Sequence, residues 1–143
     1  MLWFNRKDIK NTNGVYLRRW HIIPRNPWVN IYLHHFLGDD DSRALHDHPW
    51  HSWSLPISGG YWDILPRDHC IRRKPWRIVH RRASKPHRVR LVRDREGNPK
   101  HAWTIFLTGP RMREWGFHCP QGWRPWFEFV DPDDHGRIGP GCD

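Results

Sequence analysis

Ala44-Leu45-His46-Asp47-His48-Pro49-Trp50-His51 is the most informative stretch of the chain. Residues two apart on a β-strand point to the same face. His46 and His48 can therefore aim their imidazoles at one point, while Asp47 turns away, free to brace a neighbouring imidazole. Imidazole is a common ligand for Zn, Fe, Ni and Cu at neutral pH, but two imidazoles alone make a poor site. The run His87-Arg88-Val89-Arg90-Leu91 offers the third. Its alternation places His87 on the core face with Val89 and Leu91, and the arginines opposite. A core histidine is either satisfied by backbone or a carboxylate or serves as a ligand. With the HxH upstream, the ligand reading is favoured.

Working outward, short apolar or alternating runs recur between breakers: Val15–Ile23, Val29–Leu37, His51–Ile57, Tyr61–Leu65, Trp76–His80, His87–Val92, Trp103–Thr108 and Trp126–Val130. Many are β-branched or aromatic, which suits a half-buried pleated surface. With 13 Pro and 11 Gly spread along the chain, no long helix fits. The pattern predicts an all-β sandwich or barrel, with Ser58-Gly59-Gly60 and Arg95-Glu96-Gly97-Asn98-Pro99 as hairpin tips. At 143 residues the chain fits one domain over 1–130, followed by a polar tail over 131–143.

Apolar residues make up only 37% of the chain, but 11 residues are Trp, each able to bury a large area. The formal charge is +9, and Ile71-Arg72-Arg73-Lys74-Pro75-Trp76-Arg77 is the strongest basic run. It reads as a solvated loop, with phosphate contacts and base stacking on Trp76 as the alternative. Cys70, Cys119 and Cys142 are odd in number and form no CxxC pair, so a disulfide framework and a zinc ribbon are not expected. No stretch approaches the roughly 20 apolar residues of a membrane span, nor is a secretory signal evident. The expectation is a cytoplasmic, reduced protein.

The order Gly38, His46-Asp47-His48, Gly60, His87 resembles the motifs of the cupin superfamily (RmlC-like). Four residues separate His48 from Trp53, which stands where the family has a metal-binding Glu, and six more lead to Gly60. In the second motif His87 matches the family histidine, while Arg82, Ser84 and Leu91 replace its Pro, Gly and Asn. The resemblance covers about Gly38 to Val92 and implies a double-stranded β-helix, a jelly-roll-like barrel. His46, His48 and His87 carry over as metal ligands. Cupins with three histidines and no Glu include Fe(II) thiol dioxygenases. The string from His46 to Trp115-Gly116-Phe117 also looks like small cupin-like proteins of phages and prophages.

Other residues complete the expected site. His51 is assigned as a pocket acid–base or fourth ligand. Trp53, His35 and His101 are assigned to the substrate pocket. The leading function is a metal-dependent, dioxygenase-like enzyme acting on a small molecule. Its cofactor is a divalent metal, Fe(II) for an oxygenase, with Zn, Ni or Mn as the other choices. The alternative is a non-catalytic cupin module binding a small ligand or nucleic acid. A metal-free epimerase-like cupin ranks last. A homodimer is compatible with either leading reading.

Overall fold

The computed structural model describes residues 6–11, 14–134 and 139–143. The strands are β1 (Lys7–Asn11), β2 (Gly14–His21), β3 (Asn30–Phe36), β4 (Leu45–His46), β5 (Ser52–Ser58), β6 (Tyr61–Leu65), β7 (His69–Arg73), β8 (Val79–Arg81), β9 (Arg88–Leu91), β10 (Ala102–Thr108), β11 (Gly116–Cys119) and β12 (Gly122–Pro125). One short helix, α1 (Trp126–Phe129), follows. No helix among the described residues is long and apolar enough to cross a membrane.

Six strands form an antiparallel sheet in the order β1-β2-β3-β10-β5-β8. Two three-stranded sheets, β12-β11-β4 and β7-β6-β9, make up the other wall. They meet at a single antiparallel bridge between His46 and His87, whose amides donate to each other's carbonyls at 2.9 Å. The second wall is thus six strands sewn at one seam, and the seam residues are two of the predicted ligands. This is the all-β, cupin-type β-sandwich that the sequence predicts.

Alternation sets the interior. Leu17, Phe36, Tyr61, Val89, Leu91 and Ala102 form one apolar cluster. Phe117, Phe129 and Val130 form a second, with Trp115 and Trp126 packed against it. Fully burying such side chains stabilises by about 1.5–3 kcal/mol each. The tight turn into β6 needs glycine: Gly59 and Gly60 have φ of +81° and +65°, and a Cβ on Gly59 would lie 2.3 Å from the His101 carbonyl oxygen.

Several expectations are corrected. Trp126–Val130 is a helical turn, not a strand. One turn sets Trp126 against Trp115 and stacks Phe129 on Phe117 at 3.6 Å, contacts that a strand's alternation would send to opposite faces. Trp76 lies in a turn ahead of β8, at φ +66° and 70% exposed. The tryptophans supply less core than composition suggests, since Trp28, Trp53, Trp62, Trp76 and Trp123 are all exposed. Cys119 and Cys142 form a disulfide, against the reduced chain expected from cysteine count. The chain end is tied down: Arg124 donates to the Gly141 and Asp143 carbonyls at 2.7 and 2.8 Å, and Arg43 to Gly139 at 2.7 Å. Of the expected tail, residues 135–138, including His135, lie outside the described residues.

Candidate metal centre

The three histidines expected to act together are brought together. The bridge places His46 and His87 side by side, and two steps along the chain adds His48. Ring centroids are 4.9 Å apart for His46–His87, 5.1 Å for His46–His48 and 5.1 Å for His48–His87. One nitrogen from each lies within 4.8 Å of the others. All three are held in the neutral form. Burial lowers His46 and His87 to about 4, with the Arg81 charge also lowering both. Burial and then its two imidazole neighbours push His48 well below its ordinary value. Neutral imidazole is the ligand form, so the trio needs no proton loss at pH 7 to receive a cation.

His87 is oriented from behind. Its Nδ1 donates to Asp63 Oδ1 at 2.6 Å. An ionised carboxylate only accepts, so the proton sits on Nδ1 and Nε2 carries the free lone pair. Asp63 is fully buried and also takes Arg73 Nε at 3.0 Å and the Arg81 guanidinium. Burial would raise this carboxyl, but His87 and Arg81 override it and hold it well below the carboxylate range.

His46 and His48 are held through their backbone. Asp47, also fully buried, accepts from Gly116 N at 2.8 Å, His118 Nε2 at 2.9 Å and Trp123 Nε1 at 3.0 Å. Arg113 pairs with it at 3.0 Å and donates to the His48 carbonyl at 3.2 Å. Asp47 therefore braces an imidazole, as expected of an acceptor turned away from the trio, but that of His118 rather than a trio member.

The trio opens into a cavity of about 660 Å³ between the two walls. Asp40 lines it with Oδ2 at 3.9 Å from His46 Nε2. Its carboxylate accepts the Val89 amide at 2.7 Å, and burial pushes it up to about 6. Across the cavity lie Arg19, Tyr32, His34, Thr104 and Phe106.

The other assigned residues fall outside this chamber. His51 Nδ1 accepts the Ala83 amide at 2.9 Å. That uses the ring's one lone pair, so His51 cannot serve as a fourth ligand while the bond is kept. Trp53 points outward, 41% exposed and stacked on His80. His35 and His101 meet on the outer sheet face at 3.1 Å, with His35 stacked on Trp103. Of the adjacent pair His34-His35, His34 faces inward and is 3% exposed. Within the basic run, Arg72 donates to the Tyr61, Arg73 and Gly59 carbonyls and Arg73 to Asp63. Both side chains are therefore tied into β6 and β7 rather than forming a free loop.

Sequence reading missed Asp63, Asp40, Arg19 and Arg81. Asp63 gave one signal: a carboxylate in the apolar run Tyr61-Trp62-Asp63-Ile64-Leu65, in register with Val89 on the core face. Asp40 sat in a triplet of aspartates that reads as a turn.

No family model matches the sequence, and no curated protein matches it either. Solved structures do match in fold. A cupin-2 domain protein of Rhodospirillum rubrum aligns at TM-score 0.62 and 11% identity, covering 85% of this chain and 81% of that one. The DMSP lyase DddQ of Ruegeria pomeroyi aligns at TM-score 0.58 and 12% identity, covering 82% and 63%. The hydroxypropylphosphonic acid epoxidase of S. wedmorenis aligns at TM-score 0.56 and 14% identity, covering 73% of this chain and 55% of that one. The chain thus spans little more than half of the epoxidase. The fold these likenesses share with the chain is the cupin fold.

Proposed function

We propose that the protein is a cupin metalloenzyme in which His46, His48 and His87 hold one divalent cation, with an oxygenase-like reaction on a small molecule as the leading activity. The observation that carries this reading is the neutral, convergent trio with Asp63 fixing the His87 tautomer. Three bare imidazole nitrogens facing one chamber suit a borderline cation. The carboxylate behind His87 is the usual partner of a metal-bound histidine.

A bound ion would supply Lewis acidity and, if Fe(II), a place for O₂. The protein's own contributions are separate. Asp63 keeps the His87 proton on Nδ1. Arg113 and Asp47 fix the His46–His48 backbone. Trp50, stacked on His48 at 5.1 Å, walls one side of the trio from water. Asp40 stands beside His46 as a carboxylate able to hold a proton within the chamber.

The test is metal analysis of the purified protein and of three variants. Wild type is expected to bind one equivalent of Fe(II), Zn or Ni. His46→Ala, His48→Ala and His87→Ala should each lower occupancy sharply, since two imidazoles remain. Variants that all load metal like wild type would refute the reading. A wild type that takes none of the three ions would turn it toward the non-catalytic small-ligand module.

A further inference from the structure

The wall opposite the trio carries a row of polar groups that the metal reading leaves unused. Strand register sets Lys7, Arg19, His34 and Thr104 opposite one another across β1, β2, β3 and β10. All four line the cavity. Arg19 is fixed in two ways. Its Nε donates to His34 Nε2 at 3.0 Å, and its guanidinium lies over the Tyr32 ring, 4.6 Å from the centroid.

These contacts occupy one edge and one face of the fork. No carboxylate of the described residues pairs with Arg19, and its terminal Nη groups make none of the hydrogen bonds found among them. Burial lowers the pKa of Arg19, which measures how poorly the protein itself solvates the charge. Its neighbours add to the positive field: Lys7 and Arg25 stand at the rim of the same cavity, and after burial they and Arg19 hold His21, two residues along β2, below its ordinary value. A second, independent observation is Thr104. It is 1% exposed, and its Oγ1 has no hydrogen-bond partner. A half-buried guanidinium whose terminal nitrogens are unmatched and a buried hydroxyl without a partner are both costly unless something else completes them.

The geometry points to an oxyanion site at Arg19 and Thr104, so that the substrate class is a small organic acid whose carboxylate or phosphate-type group docks on the Arg19 fork while its other end faces the trio. A planar guanidinium with a free edge suits a two-oxygen anion. The wall between the two ends is continuous and aromatic. Trp50 stacks on His48, meets Phe106 at 5.4 Å, and Phe106 stacks on His34 at 4.8 Å. The body of the acid would lie along it. The inference uses the reading of the cavity as a substrate chamber but does not depend on the metal.

Calorimetric titration of the full chain with inorganic phosphate and with acetate tests it, in metal-free and metal-loaded protein. Metal-free wild type is expected to bind at least one probe, and the stronger of the two identifies the anion. Arg19→Gln should weaken that binding about tenfold or more, Arg19→Lys less, and Thr104→Val by a smaller factor. His87→Ala should leave anion binding in place, which separates this site from the metal reading. No binding of either probe by wild type overturns the proposal, as does equal binding by Arg19→Gln. Binding only to metal-loaded protein, indifferent to Arg19, overturns it too, since the anion then sits on the ion. Should circular dichroism show Arg19→Gln unfolded, Arg19→Lys and Thr104→Val decide: wild-type affinity in both counts against the site.

Discussion

Asp63 and Asp47 are two fully buried carboxylates, each answered by a histidine and arginine, yet they support the trio differently. Asp63 touches a trio side chain directly, through His87 Nδ1, and its arginines are shielded, with Arg81 at 9% and Arg73 at 22% side-chain exposure. Asp47 makes no hydrogen bond to a trio ring among the described residues. It grips Gly116, Trp123 and His118, and its Arg113 is 31% exposed. One aspartate thus sets the tautomer of a trio imidazole, and the other sets where the His46–His48 backbone runs.

The comparison breaks most readily at Asp63. Asp63→Ala strands Arg81 and Arg73 and frees the His87 ring. Losing one member of a buried ionic network costs about 3–5 kcal/mol, and losing a ligand's orienting partner costs about 10–100-fold in metal affinity. Urea unfolding and metal titration should register both losses. Asp63→Asn should fold better yet still bind metal more weakly than wild type.

Lowering pH acts on the same side. His46 and His87 sit at about 4 in the folded protein, below the ordinary 6.5, so the unfolded chain binds more protons between those values. Their contribution is full above about pH 6.5 and is lost as pH falls toward 4. Asp40, raised to about 6 from 3.8, opposes this, because its contribution is lost as pH rises through the same window. His48 and His34, also depressed by burial, act in the same direction as His46 and His87, so against the one carboxylate the metal-free protein should lose at least on the order of 3 kcal/mol from pH 7 to 4. A pH series of urea midpoints measures it. Stability that rises on acidification would contradict the neutral trio.

Reducing the Cys119–Cys142 disulfide perturbs the Asp47 half alone. The bond spans 23 positions, for which loop closure in the unfolded chain gives about 3 kcal/mol. The melting temperature should fall on reduction, while metal affinity changes less than in Asp63→Asn. Asp47→Asn is the mildest change, about 1–3 kcal/mol because solvent reaches Arg113 and His118, with metal affinity within about tenfold of wild type. An affinity loss matching that of Asp63→Asn would erase the distinction between the two aspartates.

Much of this was readable from residues. β2, β3, β5, β6, β9 and β10 follow the alternating runs within a few positions, because each alternates between a buried and a more open face, although in β5 the buried face is Ser52, Ser54 and Pro56. The strands that escaped do not alternate that way. Ile71-Arg72-Arg73, the start of the run that reads as a basic loop, instead pairs with β6 as part of β7, where Asp63 and the Tyr61 and Gly59 carbonyls receive its arginines. β11 and β12 are held by Asp47 and a disulfide, both long-range contacts with no local pattern. The trio was legible because HxH is a two-residue period and His87 begins an alternating run. The opposite wall was not, since an arginine inside a barrel violates the rule that polar residues face out. Choosing His35 over His34 inverted one strand face, and the aromatic partners Trp103 and His101 went outward with it.

The seam between His46 and His87 gives the chain a built-in reporter. Each of these amides is protected from solvent exchange by the other residue's carbonyl alone, at 2.9 Å, with no longer ladder to share the protection. An ion clasped by both imidazoles would tie the same two residues a second time, so opening the bridge would require releasing the ion. Deuterium uptake at these two amides should therefore slow on metal addition far more than at β3 or β10, which are zipped on both sides and exchange only by wider unfolding. Occupancy of the centre would then be visible as a change in the lifetime of one pair of backbone protons.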